Sequence, residues 1–229
     1  MASLGSWKTI DAGAAGAVLL VVFFAGCDRR SEEPIAPEPA PSAPPTTRVL
    51  ELPGVKVDVP LSFEPVDAAV VEQVKAGGLA YEPQARLDVA GMHGKDERRD
   101  GGVFVQHAVT ASRQSSTPVT AQTVLDYEIK RTKELMSQPP MELLEYDVKR
   151  QDDRLAVRAK ARITARGVEV QTMTSLVMYV DPEHHIVMLG AFCTADSATA
   201  DNVCTPVLAS MKTEPGERVP LDTTIPALP

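Results

Sequence analysis

Alternation of apolar and polar positions is the strongest order in this chain. In "GVKVDVPLSFEP", Val55, Val57 and Val59 alternate with Lys56 and Asp58, the period of a strand with one buried face. In "PVDAAVVEQVKAGG" the period lengthens. Val66, Val70 and Val74 recur at every fourth position and Gly77 supplies a stop, which predicts a short amphipathic helix. "RLDVAGM" and "GVFVQHAVTAS" read as two more strands, separated by the charged, glycine-bounded loop "HGKDERRDGG". The clearest helix is "TAQTVLDYEIKRTKELMSQPP". Leu125, Ile129, Thr132 and Met136 share one face, Thr120 can cap the start, and Pro139-Pro140 closes the end. Its outer face mixes Asp126, Glu128, Lys130, Arg131, Lys133 and Glu134, a solvated surface.

The longest strand signal, "DRLAVRAKARITARGVEVQTMTSLVMYV", predicts a hairpin turning at Arg166-Gly167, where glycine supplies a positive φ. Pairing Ala165 with Val168 sets Ile163 opposite Val170, Val157 opposite Leu176 and Leu155 opposite Met178. A slip of one residue would set apolar positions against polar ones. "DPEHH" makes the next turn, "IVMLGAF" the last strand and "SATADNVCTPVLASMKT" a final helix, while "LDTTIPALP" reads as loose. This order defines an α+β domain, an antiparallel sheet of about six to seven strands with helices packed on it.

Ahead of the domain, residues 12–26 form the uncharged run "AGAAGAVLLVVFFAG". It is short of the ~20 residues of a membrane-spanning helix and suits the apolar core of a signal peptide. Its ending, "FAGC", resembles the lipobox of bacterial lipoproteins: Ala25 and Gly26 match the small residues and Cys27 the acylated cysteine. The resemblance implies that residues 1–26 are a signal peptide and that Cys27 carries the lipid that holds the protein to a membrane. An uncleaved signal anchor, or a signal peptide cut elsewhere, is the competing reading. "DRRSEEPIAPEPAPSAPPTTR" follows, too rich in Pro, Ala, Glu and Ser to form a core. With Cys27 it makes residues 27–48 an acylated, extended tether, reaching up to roughly 65 Å. Residues 49–213 then form one domain and 214–229 a flexible tail.

Cys27, Cys193 and Cys204 are an odd set. Export resolves it: Cys27 is acylated and Cys193 pairs with Cys204, closing a short loop that stabilises the fold by roughly 3 kcal/mol. The alternative is two buried free thiols in a reducing compartment. The formal net charge of −8 argues against nucleic acid, since phosphate-backbone binding needs clustered Lys and Arg. The one tryptophan, Trp7, lies in the leader, so the domain has no Trp for stacking on sugars.

Chemistry-bearing motifs are sparse. His184 and His185 are adjacent, so on a strand they point to opposite faces; His93 and His107 come from different strands. No metal and no cofactor is therefore expected. Neither G-x-S-x-G nor S-x-x-K occurs, the acids of "DERRD" flank two arginines, and "AGG" and "DGG" lack the lysine of a phosphate loop. No catalytic residue is assigned. Arg158, Lys160 and Arg162, with Arg154 beside them, form a basic stripe whose partners in the hairpin register are Gln171, Met173, Ser175 and Tyr179. Such a stripe is either solvated or covered by a helix carrying acids, or it is a docking face for an anionic partner or lipid headgroup.

The segment "VKVDVPLSFEP", the central helix ahead of a long meander, and the closing "IVMLGAF…VLASMKT" resemble the PsbP/Mog1-like sandwich domains of many bacterial lipoproteins. The resemblance spans most of residues 49 to 213 and implies an accessory or binding role rather than an enzyme. The expectation is an envelope lipoprotein, facing the periplasm or exterior, that binds another envelope protein or a small ligand. Its rivals are an envelope hydrolase, with His93 or His107 joined to an acid and a Ser, and a structural subunit of an envelope complex.

Overall fold

The computed structural model describes residues 47–95, 101–111, 117–151, 153–165 and 168–226. Cys27, the leader, nearly all of the tether and the Arg166-Gly167 turn lie outside the described residues. Fifteen elements follow in chain order: β1 (Thr47–Leu52), β2 (Val55–Pro60), β3 (Glu64–Pro65), α1 (Ala68–Tyr81), β4 (Arg86–His93), β5 (Gly102–Ala111), β6 (Val119–Thr120), α2 (Ala121–Leu135), β7 (Met141–Gln151), β8 (Arg154–Ala165), β9 (Val168–Val180), β10 (His185–Asp196), α3 (Ala200–Ala209), β11 (Lys212–Thr213) and β12 (Thr224–Ile225). Seven strands make one antiparallel sheet in the order β3-β4-β5-β10-β9-β8-β7, and β1-β2-β11 make a smaller one. The class is α+β, as the order of elements predicts.

The β8–β9 register is the predicted one: Ala165 opposes Val168, Ile163 opposes Val170, Val157 opposes Leu176 and Leu155 opposes Met178. Alternation then sorts the large sheet into two buried faces. On one, Leu155, Val157, Leu176, Met178 and Ile186 pack under Ala121, Val124 and Leu125 of α2. Val89 and Phe192 pack beside them under Val74 of α1. On the other, Met92, Val103, Val105, Leu189 and Tyr179 meet Val55, Val57 and Val59 of the small sheet and Val207 of α3. The Cys193–Cys204 disulfide joins β10 to α3, Cα to Cα 5.4 Å, with both residues fully buried.

Local signals explain most boundaries. Thr120 Oγ1 accepts from Thr123 N (3.2 Å) at the start of α2, and the Asp67 carboxylate accepts from Ala69 N (2.8 Å) at the start of α1. Gly77 does not stop α1, which runs through Gly78 to Tyr81. Gly54, at φ +84° after Pro53, makes the tight turn between β1 and β2. β1 itself takes Thr47 and Arg48 out of the tether and into the small sheet.

Two further departures from the sequence reading matter. β7 is an eleven-residue strand that the reading passes over. A bulge between Leu143 and Glu145 shifts its apolar positions from Met141 and Leu143 to Tyr146 and Val148, which hides the period of two. The segment after Glu214, expected to be flexible, is instead a strap. Gly216 N donates to Tyr179 Oη (3.1 Å), Val219 N donates to Val180 O (3.0 Å), and Arg218 pairs with Asp153. Its carbonyls at Leu221 and Thr223 accept from Gln122 N and Ala121 N (2.8 Å each), filling the open amides of α2. β12 pairs with β6 and buries Ile225. At the head of the strap Lys56 Nζ lies 2.8 Å from Glu214 Oε1. That hydrogen bond and charge hold the Glu214 carboxyl below its ordinary range and the Lys56 ammonium above its own.

Gly190 sits in the central strand β10, where a Cβ would come within 2.1 Å of Leu176 Cδ2 and 3.0 Å of Ser175 O. Gly190→Ala should lower unfolding free energy by about 1–3 kcal/mol through overpacking. An unchanged urea midpoint would show that Leu176 yields without loss.

Candidate docking face

The basic stripe occupies the side of β8 turned away from α2, because Leu155, Val157 and Ile163 take the buried side. Along β9 the expected neighbours are in place: Gln171, Met173 and Ser175 oppose Arg162, Lys160 and Arg158. Along β7 the picture changes. Glu142 opposes Arg162, Glu145 opposes Lys160 and Asp147 opposes Arg158. An acidic stripe therefore runs directly beside the basic one.

Ion pairs follow. Arg162 lies 3.5 Å from both Glu142 and Glu169, and Lys160 Nζ lies 2.8 Å from Asp201 in the first turn of α3. Arg154 donates to Gln151, and Arg158 is exposed. Of the two readings of this stripe, the neutralised one fits: a helix carrying an acid lies at its side and an acidic strand at its edge. The excess positive charge that a face for anions or lipid headgroups would need is cancelled.

The histidines do not converge. His93 shares the strand face of Gly91 and bonds through Nδ1 to Gly94 O (2.8 Å); His107 lies on the opposite face, across from Asp88. His184 occupies the β9–β10 turn at φ 65°, and His185 Nδ1 lies 3.2 Å from Asp181 Oδ2. Among the described residues no group of three His, Cys, Asp or Glu is placed to hold a metal ion.

Tyr146 was not a candidate in the sequence, yet it fastens β7 to α2. Its hydroxyl donates to Ile129 O (3.0 Å) and Lys133 Nζ lies 5.6 Å from its ring centre. Burial pushes its phenol from 10.0 up to about 12.

No family model matches the sequence and no curated protein matches it. Among solved structures the chain is similar to LpqN of Mycobacterium tuberculosis, a protein involved in cell envelope biogenesis. The TM-score is 0.46 at 10% identity, over 74% of this chain and 91% of LpqN. It is similar to the Saccharomyces cerevisiae Ran-binding protein Mog1p at TM-score 0.37 and 11% identity, over 74% of this chain and 96% of Mog1p. A Bacteroides thetaiotaomicron protein gives 0.35 and 8%, over 73% of this chain and 48% of its own. Overlaps this loose transfer neither a site nor an activity.

Two measurements probe this region. Lys160→Glu would face Glu145 and Asp201; the cycle with Asp201→Lys should give a coupling of about 0.5 kcal/mol by urea unfolding, and zero coupling would remove the ion pair from the account. Tyr146→Phe should lose about 1 kcal/mol near neutral pH. Because folding raises the phenol pKa, this contribution holds below pH 10.0 and disappears as pH rises through about 12. The gap between variant and wild type should therefore close over that window; a gap constant with pH would mean the phenol titrates alike in both states.

Proposed function

We propose that this protein is a lipoprotein of the bacterial cell envelope, held to the membrane through acylated Cys27. Its α+β domain binds another envelope protein or a small ligand and performs no catalysis. The pattern of cysteine use is the observation that carries this reading. Cys193 and Cys204 are joined and buried inside the domain, which suits an oxidising compartment. The third cysteine, Cys27, stands where the apolar run "AVLLVVFFAG" gives way to charge. Two or more acyl chains at about 0.8 kcal/mol per buried CH₂ suffice for stable anchoring. Residues 28–46, Pro-rich and lacking an apolar period, separate Cys27 from β1; extended, they span roughly 60 Å. That spacing leaves the domain room to meet partners away from the bilayer.

Intact mass of the protein extracted from native membranes, with and without reductant, tests the proposal. The expected species begins at Cys27, carries the added mass of its acyl chains and gains about two mass units on reduction. A chain that retains residues 1–26, or one free of lipid, would overturn the anchoring.

A further inference from the structure

The two edges of the large sheet differ sharply. At one end β3 has two residues, too short to template another strand. At the other end β7 has eleven, and among the described residues it pairs with β8 alone. Its outward backbone N–H and C=O groups form a ready template for strand addition.

The side chains select the occupant. Beyond the bulge, β7 runs regularly from Glu145 to Gln151, and the midpoint of that stretch is Val148. An antiparallel copy related by a two-fold axis through Val148 places each residue opposite one equally far from the axis. Asp147 then faces Lys149 of the second copy, twice over by symmetry. Tyr146 faces Arg150, Glu145 faces Gln151, and Val148 faces itself. No like charges meet. Within their own chain Asp147, which stands opposite Arg158, and Lys149 form no ion pair among the described residues. Arg150 is already held by Asp126 at 2.9 Å, with its side chain half exposed. Charges on an edge strand ordinarily prevent edge-to-edge association by repulsion; here their order is self-complementary.

We infer that β7 is a homodimerisation edge, joining the large sheets of two copies into one continuous antiparallel sheet centred on Val148. Oxidative crosslinking of the full-length protein, purified in mild detergent, tests this, with wild type as the control for Cys27. In Val148→Cys the two thiols meet on the axis: directly opposite Cα atoms lie about 4.5–5.5 Å apart, within disulfide range. In Gln151→Cys the two copies of residue 151 lie roughly 20 Å apart. Val148→Cys should give a reducible dimer and Gln151→Cys should not. Asp147→Lys and Lys149→Asp should each weaken the dimer by on the order of tenfold or more, since each change acts twice. The double swap should restore it, which a merely structural effect of either change would not do. Equal crosslinking of the two cysteine variants overturns the inference. So does a dimer indifferent to both reversals, a swap that fails to rescue, or a Val148→Cys crosslink formed only to a different protein.

Discussion

Everything in this domain hangs on strands β9 and β10, which are buried on both faces. Met178, Tyr179 and Val180, and opposite them Ile186 and Val187, are all nearly inaccessible although consecutive residues point opposite ways. Over that stretch a strand must be apolar on both sides rather than alternating. Each side of the pair then demands a cover, and the chain supplies two: α1 and α2 on one side, the small sheet and α3 on the other. Moving either strand by one residue would exchange the two sets of side chains and leave neither cover fitted. The disulfide fixes one cover to this pair covalently, since Cys193 lies within β10.

How much of this could be read in advance follows from where the pattern was regular. The β8–β9 register was legible to the residue because Leu155, Val157 and Ile163 all have apolar counterparts in one register, whereas a slip of one residue sets Ile163 against Glu169 or Gln171. The start of α2 was legible because Thr120 is a capping residue ahead of an amphipathic run. β7 was not. Its bulge exchanges the parity of the apolar positions midway, so no single period covers Met141 to Val148. The basic stripe kept two readings for the same reason: its acidic complement lies on β7. The strap escaped because short pairings such as β12 with β6 depend on partners far away in the chain, which local periodicity does not register.

The stripe shows why a charge pattern on one strand says little before its neighbours are known. Arg158, Lys160 and Arg162 look like an anion-binding row in isolation. In the sheet they are one half of a cross-strand arrangement whose other half is Glu142, Glu145 and Asp147. Exposed pairs of this kind add modestly to stability, and their larger effect is to disfavour wrong strand partners. They also leave that side of the sheet close to neutral, which suits recognition by shape and backbone more than by long-range attraction.

The strap bears on how the protein is made. Two of the first amides of α2 are completed by Leu221 and Thr223, about a hundred residues later in the chain. Synthesis delivers a polypeptide from its N-terminus onward. Until Leu221 and Thr223 follow, two amides at the start of the central helix lack the carbonyls that complete them.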